Sequence, residues 1–128
     1  MNNISYYKGK KILVTGSTGF VGGWLSITLK TAFEAKVFGL GLNPITGSNF
    51  FDILNFNKFI EKNFITDILN EVDVENVMQK VNPDIVFHLA AQPIVSTSYQ
   101  NPIETFNTNI IGTLNVLNSI KNLEKKVN

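Results

Sequence analysis

Three glycines at three-residue spacing stand out in Thr15-Gly16-Ser17-Thr18-Gly19-Phe20-Val21-Gly22. A loop of this composition can cradle a pyrophosphate. Gly16 would permit a tight turn, Gly19 would let the main chain approach the phosphates, and Gly22 would let a helix pack close on a strand. The anion would then rest on the N–H groups and positive dipole of the helix N-terminus. The spacing is GxxGxxG, not the GxGxxG of the common fingerprint. Glycine-rich loops also serve as plain turns, so the reading depends on what flanks this one. A dinucleotide site also expects an acid about 20 residues on, to hold the ribose hydroxyls. That count reaches Gly41, and no acid lies between Lys36 and Asp52. The ribose must therefore be held by the main chain or by another group. All eleven basic residues are lysine, so no guanidinium exists to clamp a 2′-phosphate. NAD is favoured over NADP.

The flanking elements supply the context. Lys11–Thr15 is a short β-branched run ending at the first glycine, and so a buried strand. Residues 20–33 carry apolar side chains at helical spacing; residues 36–40 form a second strand, closed by Gly41 and Asn43-Pro44. Residues 49–62 suggest a short helix and a connector, and residues 64–66 a brief third strand. Asn70 caps a helix that runs to Val81, and Ile85–His88 is a fourth strand. Residues 92–101 read as loop, and Pro102 opens a helix reaching about Leu123. Apolar strands alternating with helices give an α/β fold with a parallel sheet covered on both faces. Right-handed crossovers set the strand order at 3-2-1-4, an incomplete doubly wound sheet of the NAD(P)-binding Rossmann type. His88, inside an apolar strand, reads as a hydrogen-bonded core residue before it reads as a catalyst.

Composition removes several function classes. With 128 residues, 44% hydrophobic and 16% charged, the chain can bury a core and is not disordered. A net charge of +1 lacks the electrostatic footprint of a nucleic-acid binder. Absent cysteine excludes disulfides and thiolate metal sites. Residues 12–29 are uncharged, but half are Gly, Ser or Thr, so no membrane span is expected and the expected location is cytoplasmic.

The glycine loop followed by Gly22-Gly23-Trp24-Leu25-Ser26 resembles the opening of the extended short-chain dehydrogenase/reductase superfamily. The run Ile85-Val86-Phe87-His88-Leu89-Ala90-Ala91-Gln92-Pro93 is more specific. With Ser98-Tyr99, Pro102, Thr105 and Asn109-Ile110-Ile111-Gly112-Thr113, it resembles the CDP-glucose 4,6-dehydratases. The resemblance implies that Gly16, Ser17, Thr18, Gly19, Phe20 and Val21 line the pyrophosphate of NAD. It implies that Asp67 and Ile68 contact adenine, although Asp67 also suits a turn before a helix. It places Leu89, Ala90 and Ala91 under the nicotinamide ribose, with Asn109 bracing the loop after the fourth strand. Gln92 and Ser98 would face a nucleotide-sugar substrate, with a loop-stabilising hydrogen bond as the competing role. Ser17, Val21 and Ser96 depart from residues common in those dehydratases, and the last two remove positive charge near phosphates.

The same resemblance implies a catalytic Tyr-x-x-x-Lys on a helix after a fifth strand. Here that spacing occurs only as Tyr6–Lys10 and Tyr7–Lys11, before the first strand. The expected organisation is a flank at 1–10 and a partial Rossmann domain at 11–128, with later strands, substrate domain and catalytic residues absent. The expected activity of the intact architecture is that of an NAD-dependent lyase, and this chain alone is expected to be inactive. The alternatives are a non-enzymatic dinucleotide-binding module, a gene remnant, or part of a sugar-nucleotide epimerase or reductase. An open edge on the fourth strand would favour self-association or a completing polypeptide.

Overall fold

Alternation in KILVT decides the architecture of the chain. In the computed structural model, which describes residues 4–44 and 55–128, a helical turn α1 (Ile4–Tyr7) precedes β1 (Lys11–Thr15). Ile12 and Val14 point to one face of the sheet and Leu13 to the other, all fully buried. One face packs Ile12 and Val14 with Leu29, Val37, Phe56 and Ile85. The other packs Leu13 with Leu40, Ile68, Val74, Met78 and Val116. A strand with no polar face must be covered twice, and helices on both sides do so.

Helix α2 (Phe20–Thr31) leads to β2 (Lys36–Gly41), then β3 (Lys62–Ile65), α3 (Glu71–Val81) and β4 (Ile85–His88). All pairs are parallel and the order is β3-β2-β1-β4, as the sequence leads one to expect. Asn70 caps α3, its side chain accepting from Asp73 N at 3.2 Å. The third strand begins two residues earlier than its apolar run, because Lys62 already pairs with Phe38 along β2. The expected helix and connector at 49–62 lie partly outside the described residues; within them, Phe56–Lys58 forms a single 3-10 turn.

Two expectations need correction. Residues 92–101 are not simply loop: α4 (Val95–Gln100) forms there. Its start is organised by Gln92, whose Oε1 accepts from Ile94 N at 2.7 Å. The helix expected over 102–123 is divided into α5 (Pro102–Phe106), a π-helical turn (Asn107–Ile111) and α6 (Gly112–Lys121).

The outer edge of β4 is also partly occupied. Asn128 donates to Asp84 O at 3.1 Å and accepts from Val86 N at 2.9 Å, the bonding pattern of a parallel neighbour. Asp84 secures this corner, accepting from Lys11 N and from Lys125 Nζ, each at 2.8 Å. The Lys125 ammonium, and after it the Lys11 amide, hold the Asp84 carboxyl below its ordinary 3.8. The unfolded chain therefore binds more protons, so this contribution is complete above about pH 4 and is lost as pH falls through the folded value. The pair is partly exposed, so Asp84→Asn should cost under about 1 kcal/mol at pH 7. The cost should be smaller at pH 2, a difference that urea titrations at the two pH values would resolve.

Candidate functional site

The cleft is built where β1 turns into α2. Gly16 has φ +72°, its N–H donates to Leu40 O at 2.7 Å, and its carbonyl accepts from Gly19 N at 3.0 Å. A Cβ on Gly16 would lie 2.8 Å from Ala90 N, so the loop after β4 can sit directly against it. A Cβ on Gly22 would overlap the Gly16 carbonyl, which is how α2 starts so close to the strand. Gly19 is the exposed, extended cap of α2, and no side chain caps the helix there. The positive end of α2 therefore opens into the space above the loop.

That space is a cleft of about 550 Å³ at the carboxyl ends of the four strands. Gly16, Thr18, Gly19, Phe20, Val21 and Gly22 form one wall, and Asp67 with Ile68 another. Leu89, Ala90 and Ala91 form the floor. Phe20 and Val21 keep 72% and 63% of their surface exposed, so they present apolar area to whatever enters. Asp67 is the one acidic or basic residue lining the cleft among the described residues. Its Oδ1 accepts from Leu69 N at 2.9 Å, so it shapes a turn and faces the cleft at once. Ile68 is held from behind: its main-chain oxygen accepts from Asn115 Nδ2 at 2.9 Å, and its side chain fills the space a Cβ on Gly112 would need.

The other singled-out residues have different positions. Ser17 is fully buried and turns its hydroxyl beneath the loop to Asn63 Oδ1 at 2.7 Å, leaving only its main chain for a ligand. Asn109 grips the main chain of Gln92 from both sides: Oδ1 accepts from Gln92 N at 2.8 Å and Nδ2 donates to Gln92 O at 3.2 Å. Gln92 does not line the cleft. Its Nε2 donates to Thr105 Oγ1 at 2.8 Å, and its side chain is bound into the turn before α4. Ser98 is likewise off the cleft, with Oγ donating to Val95 O at 2.6 Å. Of the two roles weighed for them, facing substrate or stabilising the loop, these hydrogen bonds are of the second kind. Tyr6 and Tyr7 precede β1 and so lie at the opposite end of the sheet from the cleft. Lys10 Nζ sits 3.5 Å from the Tyr6 ring centroid.

Five lining residues were not identified from sequence as contacts: Gly41, Leu42, Thr66, Pro93 and Thr108. Leu42 and Thr66 each follow the carboxyl end of a strand, and the rule that ligands bind beyond those ends points to them. Thr108 has no such signal, because it reaches the cleft through the π-helical turn. Gly41, read only as a missing acid, also lines the cleft. A Cβ there would come 2.8 Å from Thr18 Oγ1, so the threonine occupies the space over the end of β2.

A family model described as GDP-mannose 4,6 dehydratase matches residues 13–128. The CDP-glucose 4,6-dehydratase of Salmonella typhimurium is 42% identical over 117 residues, which is 91% of this chain and 32% of that protein. The dTDP-D-glucose 4,6-dehydratase of Dictyostelium discoideum is 36% identical over 98% of this chain and 29% of its own length. Among solved structures, UDP-glucose 4-epimerase from Thermotoga maritima with UDP-glucose superposes with a TM-score of 0.72. It is 32% identical, over 87% of this chain and 34% of that one. The Thermus thermophilus UDP-glucose 4-epimerase complex with NAD gives 0.70 at 28% identity, over 87% and 33%. The chain thus spans about a third of the length of these relatives.

Proposed function

Because the chain belongs to the GDP-mannose 4,6-dehydratase family, we propose that its cleft binds NAD, as the cofactor-holding part of a sugar-nucleotide 4,6-dehydratase acting on CDP-glucose. The observation that carries the reading is the glycine cradle: side chains are excluded at Gly16 and Gly22 by the main chain itself, leaving a bare loop under a helix N-terminus. The Thermus epimerase with this fold is a complex with NAD, and the Salmonella dehydratase supplies the substrate class.

In this reading Gly16 to Val21 hold the pyrophosphate, Ser17 through its main chain. Asp67 accepts from the adenine amine beside Ile68, and Leu89, Ala90 and Ala91 leave room for the nicotinamide ribose. Asn109 fixes the floor by gripping Gln92. Gln92 and Ser98 would serve the substrate side by shaping the loop, since each is committed to a hydrogen bond. Bound NAD would supply a hydride acceptor and donor at the carboxyl end of β4. This chain's residues bind and orient the cofactor; the proton-transferring groups of a dehydratase would come from outside the domain at 11–128. No lysine or arginine lines the cleft among the described residues, which favours NAD over NADP.

The test is a thermal-shift titration with NAD, NADP and CDP-glucose. NAD at one hundred times its dissociation constant should raise Tm by about 10 °C, the equivalent of roughly 2.7 kcal/mol. NADP should act only at higher concentration, and the chain alone should not convert CDP-glucose. Absence of any shift with millimolar NAD, or a preference for NADP, would overturn the respective claim.

A further inference from the structure

The single histidine of the chain sits at the junction of everything that supports the cleft floor. His88 Nδ1 lies 2.6 Å from Thr15 Oγ1, and Nε2 lies 2.9 Å from Thr113 Oγ1. Thr15 Oγ1 also accepts from Leu89 N at 3.1 Å and Ala90 N at 3.2 Å. Thr113 Oγ1 donates to Asn109 O at 2.7 Å, and the Asn109 side chain in turn grips Gln92.

These bonds run in one direction only. The Thr113 proton is used on Asn109 O, so its oxygen accepts from His88 Nε2–H. The two lone pairs of Thr15 Oγ1 serve the amides of Leu89 and Ala90, so its proton goes to His88 Nδ1. The opposite tautomer would bring three donors to the Thr15 oxygen and leave its proton without an acceptor. Every group is satisfied by one arrangement: a neutral imidazole protonated at Nε2.

We propose that His88 is a positioning residue whose neutral, Nε2-protonated ring closes this circuit and holds residues 89–91 as the floor of the cleft, so that protonation at Nδ1 opens the floor and weakens cofactor binding. A second ring proton would face the Thr15 oxygen, whose lone pairs already hold Leu89 and Ala90. One of those amides must then let go, directly beneath the bound dinucleotide. The elements around the ring are β1 with Thr15, the loop at 89–90, the π-helical turn with Asn109, and α6 with Thr113. None of them turns a charged or titratable side chain toward it. Burial is the one cause that lowers the imidazole from its ordinary 6.5, so the change would fall below that value. The consequence for binding rests on the NAD reading above; the circuit itself does not.

The test uses the full chain and its one imidazole. A long-range ¹H–¹⁵N spectrum above pH 7 should show a protonated Nε2 and a bare Nδ1. On acidification the amides of Leu89, Ala90 and Gln92 should shift with the midpoint of the ring. NAD affinity should fall about fivefold over the same range, the worth of one hydrogen bond. Thr113→Val should weaken NAD by a similar factor at pH 7.5, and Thr113→Ser should restore both affinity and tautomer. A protonated Nδ1, or amides that ignore the ring, overturns the circuit. NAD affinity that stays flat while the ring titrates overturns its role in binding. If NAD binds at no pH while ring and amides titrate together, the cofactor reading fails and the circuit stands.

Discussion

Gly22→Ala is expected to lower NAD affinity by at least about 100-fold, or ~2.8 kcal/mol at 1.4 kcal/mol per decade. The added methyl would overlap the Gly16 carbonyl oxygen and lie 2.7 Å from its carbon, and 3.1 Å from Ser17 Cα. All three are main-chain atoms of the loop that would carry the pyrophosphate, and no side chain can swing away to make room. Either α2 moves off the loop or the loop moves off the strand. Both disturb the Gly19 N to Gly16 O bond and the direction in which the helix end faces the phosphates. Calorimetric titration of NAD into wild type and variant measures the loss. Gly19→Ala is the contrasting case: that position is exposed, and a Cβ there would be 3.2 Å from one atom, the Gly16 oxygen. Its structure should survive while affinity drops through steric crowding of the phosphates. Equal NAD affinity in wild type and Gly22→Ala would refute the cradle.

Thr15→Val keeps shape and volume yet should destabilise the fold by about 2–3 kcal/mol. Thr15 is fully buried at the end of the central strand. Without its hydroxyl, His88 Nδ1 has no donor and Ala90 N–H loses its acceptor. Leu89 N loses less, because it also donates to Thr15 O at 3.2 Å. The groups left unpaired are half-buried and lose much of their desolvation term, while replacing a hydroxyl by a methyl changes the packing little. The urea midpoint should fall with an unchanged slope, and Thr15→Ser should recover most of the loss. A valine variant as stable as wild type would mean that water replaces the hydroxyl.

Much of the fold was legible in the sequence because its signals are local. The β1 and β4 boundaries follow from short apolar runs ending in Gly16 and at Leu89, and Asn70 announces α3. The glycine spacing identified the cradle because Gly22 answers a main-chain demand inside the loop and Gly16 a local turn at φ +72°. Regions without a local signal went differently. Helix α4 is polar and almost wholly exposed, so no periodicity marks it, and its start depends on the Gln92 side chain. The π-helical turn has ordinary composition, and its extra residue shows only in the main chain. The pairing of Asn128 with β4 joins residues more than forty positions apart and carries no motif.

Sequence alone determined the fold class, the strand order and the bare loop at the end of β1. Periodicity, glycine geometry and crossover handedness act over short stretches of chain and hold wherever those stretches are placed. Only the tertiary structure decided that Thr18 fills the space above Gly41, that Ser17 faces inward to Asn63, and that Gln92 braces its own loop. The same is true of His88, whose two ring nitrogens join Thr15, 73 residues before it, to Thr113, 25 residues after it. A hydrogen bond has direction and a reach of about 3 Å, so its partners are settled by how the sheet and helices bring distant residues together, not by the spacing along the chain.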